Sequence, residues 1–231
     1  MEVERQLLRW HRSARRDLPW RRTRDPWAVL VSEVMLQQTQ VARVIERWTA
    51  WMERWPTPDA LAASPRDEVI RAWQGLGYNR RAVALHRAAE SIAADGWPED
   101  LTELPGVGRY TADAVARFAH GEPVLPIDVN IRRVLERTDM PFTPDVAEAL
   151  MDLGATVCIA RVPRCGDCPL ANRCPSRGRT FAPVRRQSRF EGSFRQRRAQ
   201  TLRAVMDGRA DPHAGEPAVR ASLERDGLVD A

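Results

Sequence analysis

The chain has 231 residues, of which 43% are hydrophobic and 29% charged, enough for one large domain or two smaller ones with a buried core. All 36 Lys and Arg positions are arginine, and the formal net charge of +5 favours a polyanionic partner, although genomic composition bias also accounts for some of the arginine. Because lysine is absent, no side-chain amine can form a Schiff base with a sugar aldehyde. No signal peptide or membrane-spanning run is visible, so we expect an intracellular, cytoplasmic protein without a membrane partner.

The hydrophobic spacing is helical almost throughout, and no stretch keeps the two-residue alternation of a half-buried strand. The first predicted elements are a helix that begins at Asp25-Pro26, a helix with one tryptophan-rich buried face from Val41 to Trp55, a helix opened by Ser64-Pro65, and a helix from about Arg80 to Ala94. Pro105-Gly-Val-Gly108 then predicts a tight turn between two short helices, the second opening near Thr111. Two more helices are predicted over about Arg195–Met206 and Pro217–Asp226. The sequence therefore predicts an all-α protein.

Two carboxylic acids lie in apolar surroundings. Glu33 interrupts the otherwise almost wholly apolar helical run Trp27-Ala-Val-Leu-Val-Ser-Glu-Val-Met-Leu36. A carboxyl group buried there without a cation would keep its proton near neutral pH, as a general acid must. An ion-paired helix carboxylate is the alternative for this residue. Asp128, in Leu125-Pro-Ile-Asp-Val-Asn130, is the second candidate.

The four cysteines have the spacing Cys158-x6-Cys165-x2-Cys168-x5-Cys174. In a chain without an export signal, such a narrow window argues against a disulfide framework. Four thiolates around one centre suit either tetrahedral zinc or a cubane iron–sulfur cluster, and the number of cysteines leaves both open.

The segment Leu104-Pro-Gly-Val-Gly-Arg109 combines two glycines with the start of a helix. Gly106 and Gly108 would let the backbone approach closely, and the amide N–H groups of the helix start could face a phosphate. A helix-turn-helix packing joint without a ligand is the alternative. Gly106 and Gly108 are therefore candidate DNA-binding residues.

These motifs resemble one family. The cysteine spacing resembles the cluster loop of the endonuclease III and MutY branch of the helix-hairpin-helix DNA glycosylases, which carries a [4Fe-4S] cluster, and this resemblance favours the cluster over zinc. Over about residues 4–175, the chain is similar to MutY-type adenine DNA glycosylases. The motifs that carry this similarity are Asp17-Leu-Pro-Trp-Arg21, Asp25-Pro-Trp27, Ser32-Glu-Val-Met-Leu-Gln-Gln-Thr39 and Gly75-Leu-Gly-Tyr78.

The resemblance implies a monofunctional base excision repair enzyme that hydrolyses the N-glycosidic bond of adenine paired with 8-oxoguanine or guanine in double-stranded DNA. Glu33 would protonate N7 of the extruded adenine, and Asp128 would stabilise the oxocarbenium-like sugar as an anion. By the same resemblance, the base pocket is lined by Arg16, Leu18, Trp20, Arg21, Tyr110, Asn130 and Glu148. Gln38, Thr39 and Tyr78 would contact the opposite, oxidised guanine and wedge the base stack.

The resemblance also implies a two-lobed helix-hairpin-helix glycosylase fold that acts as a monomer. Residues 1–175 would form the glycosylase domain with its iron–sulfur cluster loop, with the lobes divided near residues 24 and 122. Residues 176–193 would form a linker. Residues 194–231 would form a small helical C-terminal appendage, too short for the Nudix-like domain of many MutY proteins.

The chain departs from the family pattern in several places. Tyr110 stands where bifunctional endonuclease III-type relatives have their lysine nucleophile, so lysine-based AP lyase activity is excluded. Tyr78 is followed by Asn79 where relatives usually repeat the tyrosine, and Val129 follows Asp128 where they often have glycine. Only 29 residues separate Asp128 from Cys158, fewer than in typical relatives. Two alternatives stay open: a thymine glycosylase for T:G mismatches, and a catalytically impaired mismatch-binding relative.

Overall fold

The computed structural model describes residues 2–182 and 188–230. The regular elements in these ranges are all helical, and the predicted all-α class is confirmed. The α-helices are α1 (Glu2–Ala14), α2 (Pro26–Leu36), α3 (Val41–Arg54), α4 (Pro58–Ala62), α5 (Arg66–Trp73), α6 (Arg80–Asp95), α7 (Arg109–Phe118), α8 (Val129–Thr138), α9 (Ala147–Thr156), α10 (Phe194–Met206) and α11 (Pro217–Arg225). Short 3₁₀ turns span Pro19–Arg22, Leu101–Glu103, Pro144–Val146, Cys165–Asp167 and Ala171–Arg173.

The chain forms two compact units. Among the described residues, unit 1 comprises 2–26 and 109–182, and unit 2 comprises 27–108 and 188–230. The chain passes from unit 2 to unit 1 directly after Gly108, so α7 belongs to unit 1. The sequence had indicated a lobe boundary near residue 122. The two C-terminal helices, predicted as an appendage after a linker, belong to unit 2.

Unit 2 is organised around α2, in which Trp27 to Met35 are all buried. A helix with apolar residues on every side is stable in water only when other elements enclose it. Helix α2 therefore lies inside the unit. The predicted tryptophan-rich face of α3 is buried as expected, and its indole groups also bind backbone oxygens. Trp48 Nε1 donates to the Ala28 carbonyl at 3.0 Å, and Trp27 Nε1 donates to the Trp55 carbonyl at 3.0 Å. The first bond joins α2 to α3, and the second joins α2 to Trp55, the residue directly after α3.

The C-terminal helices share a hydrophobic core with α5 and α6. Leu202 of α10 and Leu223 of α11 are buried together with Ile70 and Val83. One expected helix start differs from the structure: Ser64 does not cap α5, whose N-cap is Pro65. The Ser64 hydroxyl instead accepts a hydrogen bond from Trp55 Nε1 at 2.7 Å and donates to the Ala60 carbonyl at 3.1 Å, so its capping oxygen is already engaged.

Unit 1 is built from α1, α8 and α9 around one core, which contains Leu7, Ile131, Val134, Leu150 and Leu153. Helices α8 and α9 approach very closely at Gly154. A Cβ atom placed on Gly154 would lie 2.7 Å from both the Cβ and the carbonyl oxygen of Asn130. Glycine at this position therefore sets the distance between α9 and the first turn of α8.

Candidate active site and cysteine loop

Glu33 lies in the second half of α2, three residues before its end. Its residue surface is only 6% exposed, and its neighbours along the helix are buried. The expectation that this carboxyl group is buried in a mostly apolar helix is therefore met.

Asp128 lies in unit 1, where it is the N-cap of α8. Its side chain accepts hydrogen bonds from the backbone N–H groups of Asn130 at 2.9 Å and Ile131 at 2.6 Å, and from the Asn130 side-chain amide at 2.7 Å. An N-cap carboxylate accepts from the first, otherwise unpaired N–H groups of its helix, which fixes its orientation. The apolar residues beside it are not core residues, because Ile127 is 41% and Val129 is 70% exposed. Asp128 is thus held at a partly open surface, which the apolar sequence around it did not indicate.

Asn130 is connected through Arg133 to the start of the cysteine loop. One amino group of the Arg133 guanidinium donates to Asn130 Oδ1 at 2.6 Å and to the Gly154 carbonyl at 2.7 Å. Its Nε donates to the carbonyl of Cys158 at 2.7 Å. Burial lowers the pKa of Arg133. Asp128, Asn130 and the first cysteine of the loop are therefore positioned by one continuous set of hydrogen bonds.

A fully buried acid, Asp152 on α9, organises the arginines that were assigned to the base pocket. Its carboxylate accepts from His11 Nε2 at 2.9 Å, from Arg16 Nε at 2.5 Å, and from both terminal nitrogens of Arg21 at 2.8 and 3.0 Å. Burial by itself would raise the pKa of Asp152, but the hydrogen bonds from His11 and Arg21 and the charge of Arg21 hold it well below its usual range. No sequence motif marks Asp152 as part of this pocket.

The other predicted pocket residues of unit 1 differ in their surroundings. Glu148, also on α9, accepts a hydrogen bond from Arg15 Nε at 3.1 Å, and Arg21 Nε lies 3.9 Å from the same oxygen. Leu18 and Trp20 are buried at 6% and 7% exposure. Tyr110, in the first turn of α7, is half-buried. Helix α9 thus contacts most of these residues in unit 1: Asp152 binds Arg16 and Arg21, and Gly154, two residues further on, lies against Asn130.

The residues predicted to read the opposite base lie in unit 2, in two segments with unusual backbone geometry. Gln38 has φ of 56° and Tyr78 has φ of 46°, a left-handed conformation that non-glycine residues seldom adopt. Both side chains are exposed, with Tyr78 at 39%. Thr39 donates from its hydroxyl to the Leu76 carbonyl at 3.2 Å, which joins the two segments.

The two glycines of the hairpin are not equivalent. Gly106 has φ of +80°, and a Cβ atom there would lie 2.8 Å from the Cβ of Ala84 on α6. Gly108 has no atom within 4 Å of the Cβ position and an ordinary φ. Gly106 is therefore required by the packing of the turn on α6, while the structure leaves Gly108 open to a close approach from outside the chain.

All four cysteines line one pocket in unit 1. Arg137 donates to Cys158 Sγ at 3.5 Å, and the backbone N–H of Gly178 donates to Cys165 Sγ at 3.3 Å. Burial raises the pKa of the Cys168 thiol to about 11, and the other three cysteines add to the rise. Within residues 2–182 and 188–230, no group of three or more His, Cys, Asp or Glu side chains could hold a metal ion.

Comparison with known proteins identifies the family. The model of the HhH-GPD superfamily of base excision DNA repair proteins matches residues 31–153. The adenine DNA glycosylase of Mycolicibacterium smegmatis is 45% identical over an alignment 251 positions long, which covers 95% of this chain and 83% of that protein. The chain belongs to the adenine DNA glycosylase family. The human adenine DNA glycosylase is 40% identical over an alignment 212 positions long, which covers 75% of this chain and 39% of that protein.

Solved structures confirm the helix-hairpin-helix glycosylase fold of this adenine DNA glycosylase family member. A thermostable thymine-DNA glycosylase matches with a TM-score of 0.67 and 27% identity, over 74% of this chain and 93% of that one. A trapped covalent complex of endonuclease III with DNA matches with a TM-score of 0.65 and 23% identity, over 75% of this chain and 93% of that one, which supports the fold alone. The predicted MutY-type family is confirmed by the family model and by the adenine DNA glycosylase relatives. Among the helices in the described part of the chain, none has the length and apolar character needed to cross a bilayer.

Proposed function

We propose that this protein is a monofunctional glycosylase that removes adenine paired with 8-oxoguanine or guanine in double-stranded DNA. The observation that carries the proposal is the contrast between two acids in a member of the adenine DNA glycosylase family. Glu33 is buried inside an apolar helix, whereas Asp128 accepts three hydrogen bonds at a partly open surface. On the basis of these different surroundings we assign Glu33 as the proton donor and Asp128 as the anion of the reaction.

Adenine is a poor leaving group, and it is unreachable inside the base stack, so the reaction needs extrusion of the nucleotide and protonation of the base. Protonated Glu33 donates its proton to N7 of the adenine, which lets the bond between base and sugar break with the electron pair leaving on the base. The sugar then carries positive charge. Asp128 is the anion that stabilises this charge until water adds at the anomeric carbon, and the three donors that orient the side chain hold it ready before the reaction.

Strand cleavage by a lysine Schiff base cannot follow base removal, because the 231 residues contain no lysine. Tyr110 occupies the position after Gly108-Arg109 where a nucleophilic lysine would stand. The expected product is therefore an abasic site, with strand cleavage absent or weak because only the N-terminal amine could replace a lysine.

The four cysteines fit a [4Fe-4S] cluster. They line one pocket, and N–H groups of Arg137 and Gly178 point at two of the sulfur atoms, as donors commonly do around cluster thiolates. Cys158, Cys165, Cys168 and Cys174 would hold the cluster. When bound, it would fix the loop next to α8 and take no part in base removal. Absorption in the visible range with four irons per chain supports this ligand, and one bound zinc without colour contradicts it.

The test is single-turnover base release from matched duplexes that carry A:8-oxoguanine, A:G and T:G. Release of adenine from the first two is expected. The thymine glycosylase is a second candidate, because a thymine-DNA glycosylase is among the similar structures at 27% identity. Release of thymine from T:G without release of adenine would establish that alternative. Tight binding of the A:8-oxoguanine duplex with no release of any base would instead indicate an impaired relative.

Two variants test the assigned roles. Glu33→Gln removes the transferable proton and should slow adenine release by about 10²–10⁴-fold, the usual contribution of a general acid, with duplex affinity preserved. Asp128→Asn should also impair release strongly; asparagine is as good an N-cap as aspartate, so α8 should remain folded while the negative charge is lost. The exposed acids Glu46 and Asp145 provide matched controls, and Glu46→Gln and Asp145→Asn should release adenine at the unaltered rate. An unchanged rate for Glu33→Gln refutes the assignment of the acid.

A further inference from the structure

Arg81, at the start of α6, is a buried cation that neither the sequence motifs nor the proposed chemistry uses. It is 7% exposed. Among the described residues its guanidinium group donates to six carbonyl oxygens and one hydroxyl, all of them neutral. These are the carbonyls of Val34 (2.8 Å), Met35 (3.0 Å), Gln37 (2.6 Å), Leu76 (3.3 Å), Gly77 (2.8 Å) and Tyr78 (3.4 Å) and the Thr39 hydroxyl (3.0 Å).

The terminal nitrogens of the guanidinium group bind two segments, and the second nitrogen contacts both of them. One terminal nitrogen binds the last carbonyls of α2 and the first residue after it, where a helix leaves its oxygens without intrahelical partners and favours a cation. The other terminal nitrogen binds Thr39 and the turn that leads into α6. Burial lowers the pKa of Arg81 to about 10, so the group keeps its charge at neutral pH. One side chain therefore ties together two segments that are distant in sequence.

Each of these segments contains one exposed residue in the left-handed conformation. Arg81 binds the carbonyl of Gln37, directly before Gln38, and the carbonyl of Gly77, directly before Tyr78. A left-handed non-glycine residue is unfavourable unless its surroundings fix the adjoining peptide groups. The fork of Arg81 fixes the peptide group that precedes each of them. It also lies 5.7 Å from the centre of the Tyr78 ring, within range of a cation–π interaction.

We propose that Arg81 is a positioning residue for recognition of the base opposite the excised adenine. By holding the peptide groups before Gln38 and Tyr78 with one guanidinium group, it presents both side chains as one rigid surface. This inference rests on the proposed function and deepens it, because it assigns the discrimination between 8-oxoguanine and guanine to a geometry that Arg81 maintains. Arg81 itself is buried and contacts no base.

Lysine cannot replace arginine in this role. An ammonium group has three donors at one point, whereas Arg81 uses three nitrogens that face different groups of acceptors. Arg81→Lys should therefore keep the charge and still lose the connection between the two segments. This separates the fork geometry of Arg81 from its charge.

The decisive measurement is the ratio of single-turnover adenine release rates, and of dissociation constants, for A:8-oxoguanine against A:G duplexes. A variant that merely lowers the folded fraction changes both members of the ratio equally. Arg81→Met and Arg81→Lys should each reduce the ratio at least about tenfold, corresponding to the loss of a well-formed contact. The control Arg80→Met removes an exposed arginine from the same helix and should weaken binding to both duplexes with the ratio unchanged.

Hydrogen exchange provides a second measurement that needs no DNA. In Arg81→Met, the amides of residues 37–40 and 76–79 should lose protection together, while those of α3 keep theirs. Three outcomes overturn the inference: a preserved ratio in Arg81→Met, a wild-type ratio near one, or faster exchange in only one of the two segments. If the wild-type protein releases no adenine from either duplex, the proposed function fails, and the exchange experiment still decides whether Arg81 couples the segments.

Discussion

Replacement of Asp152 by asparagine should destabilise unit 1 strongly. The Asp152 side chain is fully buried and accepts hydrogen bonds from His11, Arg16 and Arg21. Asparagine keeps one acceptor oxygen but turns an amide N–H₂ group toward the arginine donors and leaves their charges uncompensated. Loss of one partner from a buried ion pair costs about 3–5 kcal/mol. For a chain of this length, 1 kcal/mol corresponds to about 2–4 °C in Tm, so Tm should fall by roughly 6–20 °C.

The measurement is thermal unfolding of wild type and variant at pH 7, with Glu148→Gln as the control. Glu148 lies on the same helix but forms a partly exposed ion pair with Arg15 at 3.1 Å. Exposed pairs contribute about 0–1 kcal/mol, so this control should shift Tm by less than about 4 °C. If Asp152→Asn unfolds no earlier than Glu148→Gln, the reasoning about Asp152 is wrong.

The same network makes a prediction about pH. The pKa of Asp152 is held below its ordinary value of 3.8 in the folded protein, so the unfolded chain takes up the proton first as the pH falls. The stability that Asp152 contributes is thus fully present above about pH 5 and is lost progressively as the solution becomes more acidic than pH 4. Wild-type stability should decline more steeply than that of Asp152→Asn in this acidic range, and parallel curves would contradict the assignment.

Three further predictions concern glycines and salt. Gly154→Ala should slow adenine release, because its Cβ would lie 2.7 Å from Asn130 and push the first turn of α8 away; single-turnover rates at saturating enzyme measure this. Gly106→Ala should lower Tm, because the new Cβ would lie 2.8 Å from that of Ala84, whereas Gly108→Ala should fold normally and reduce only duplex affinity. Affinity should fall steeply with added salt, as expected for arginine contacts to phosphates, and a flat dependence in a binding titration would exclude such contacts.

The helices and their buried faces could be predicted because they follow from local periodicity. The steps of three and four from Val41 to Trp55 predict one buried face, and Val44, Trp48 and Trp51 of α3 and Trp55 directly after it are buried. The burial of Glu33 followed in the same way from a helix with no polar face. The capping role of Asp128 was missed, because it depends on the start of α8, which apolar composition alone does not mark.

Asp152 and Arg81 could not be found from the sequence for a different reason. Asp152 is one acid in the helical string Met-Asp-Leu-Gly, and its partners His11, Arg16 and Arg21 lie more than 130 positions away. The acceptors of Arg81 are mostly backbone carbonyls, which every residue carries and which therefore leave no mark in a sequence. Buried polar groups are specified by partners that only tertiary packing brings together.

The exclusive use of arginine also has structural consequences, in addition to removing the amine that a Schiff base needs. Arg137 donates from its two terminal nitrogens to the carbonyls of Ile159 and Ala160 at 2.8 and 2.5 Å, in the cysteine loop, while its guanidinium carbon lies 3.6 Å from the centre of the Phe181 ring. Arg81 and Arg133 likewise bind several backbone oxygens at once. An ammonium group has neither the planar fork nor the flat face that these contacts use. Genomic composition can therefore account for arginines on the surface, whereas at these three positions the acceptor geometry itself requires a guanidinium group.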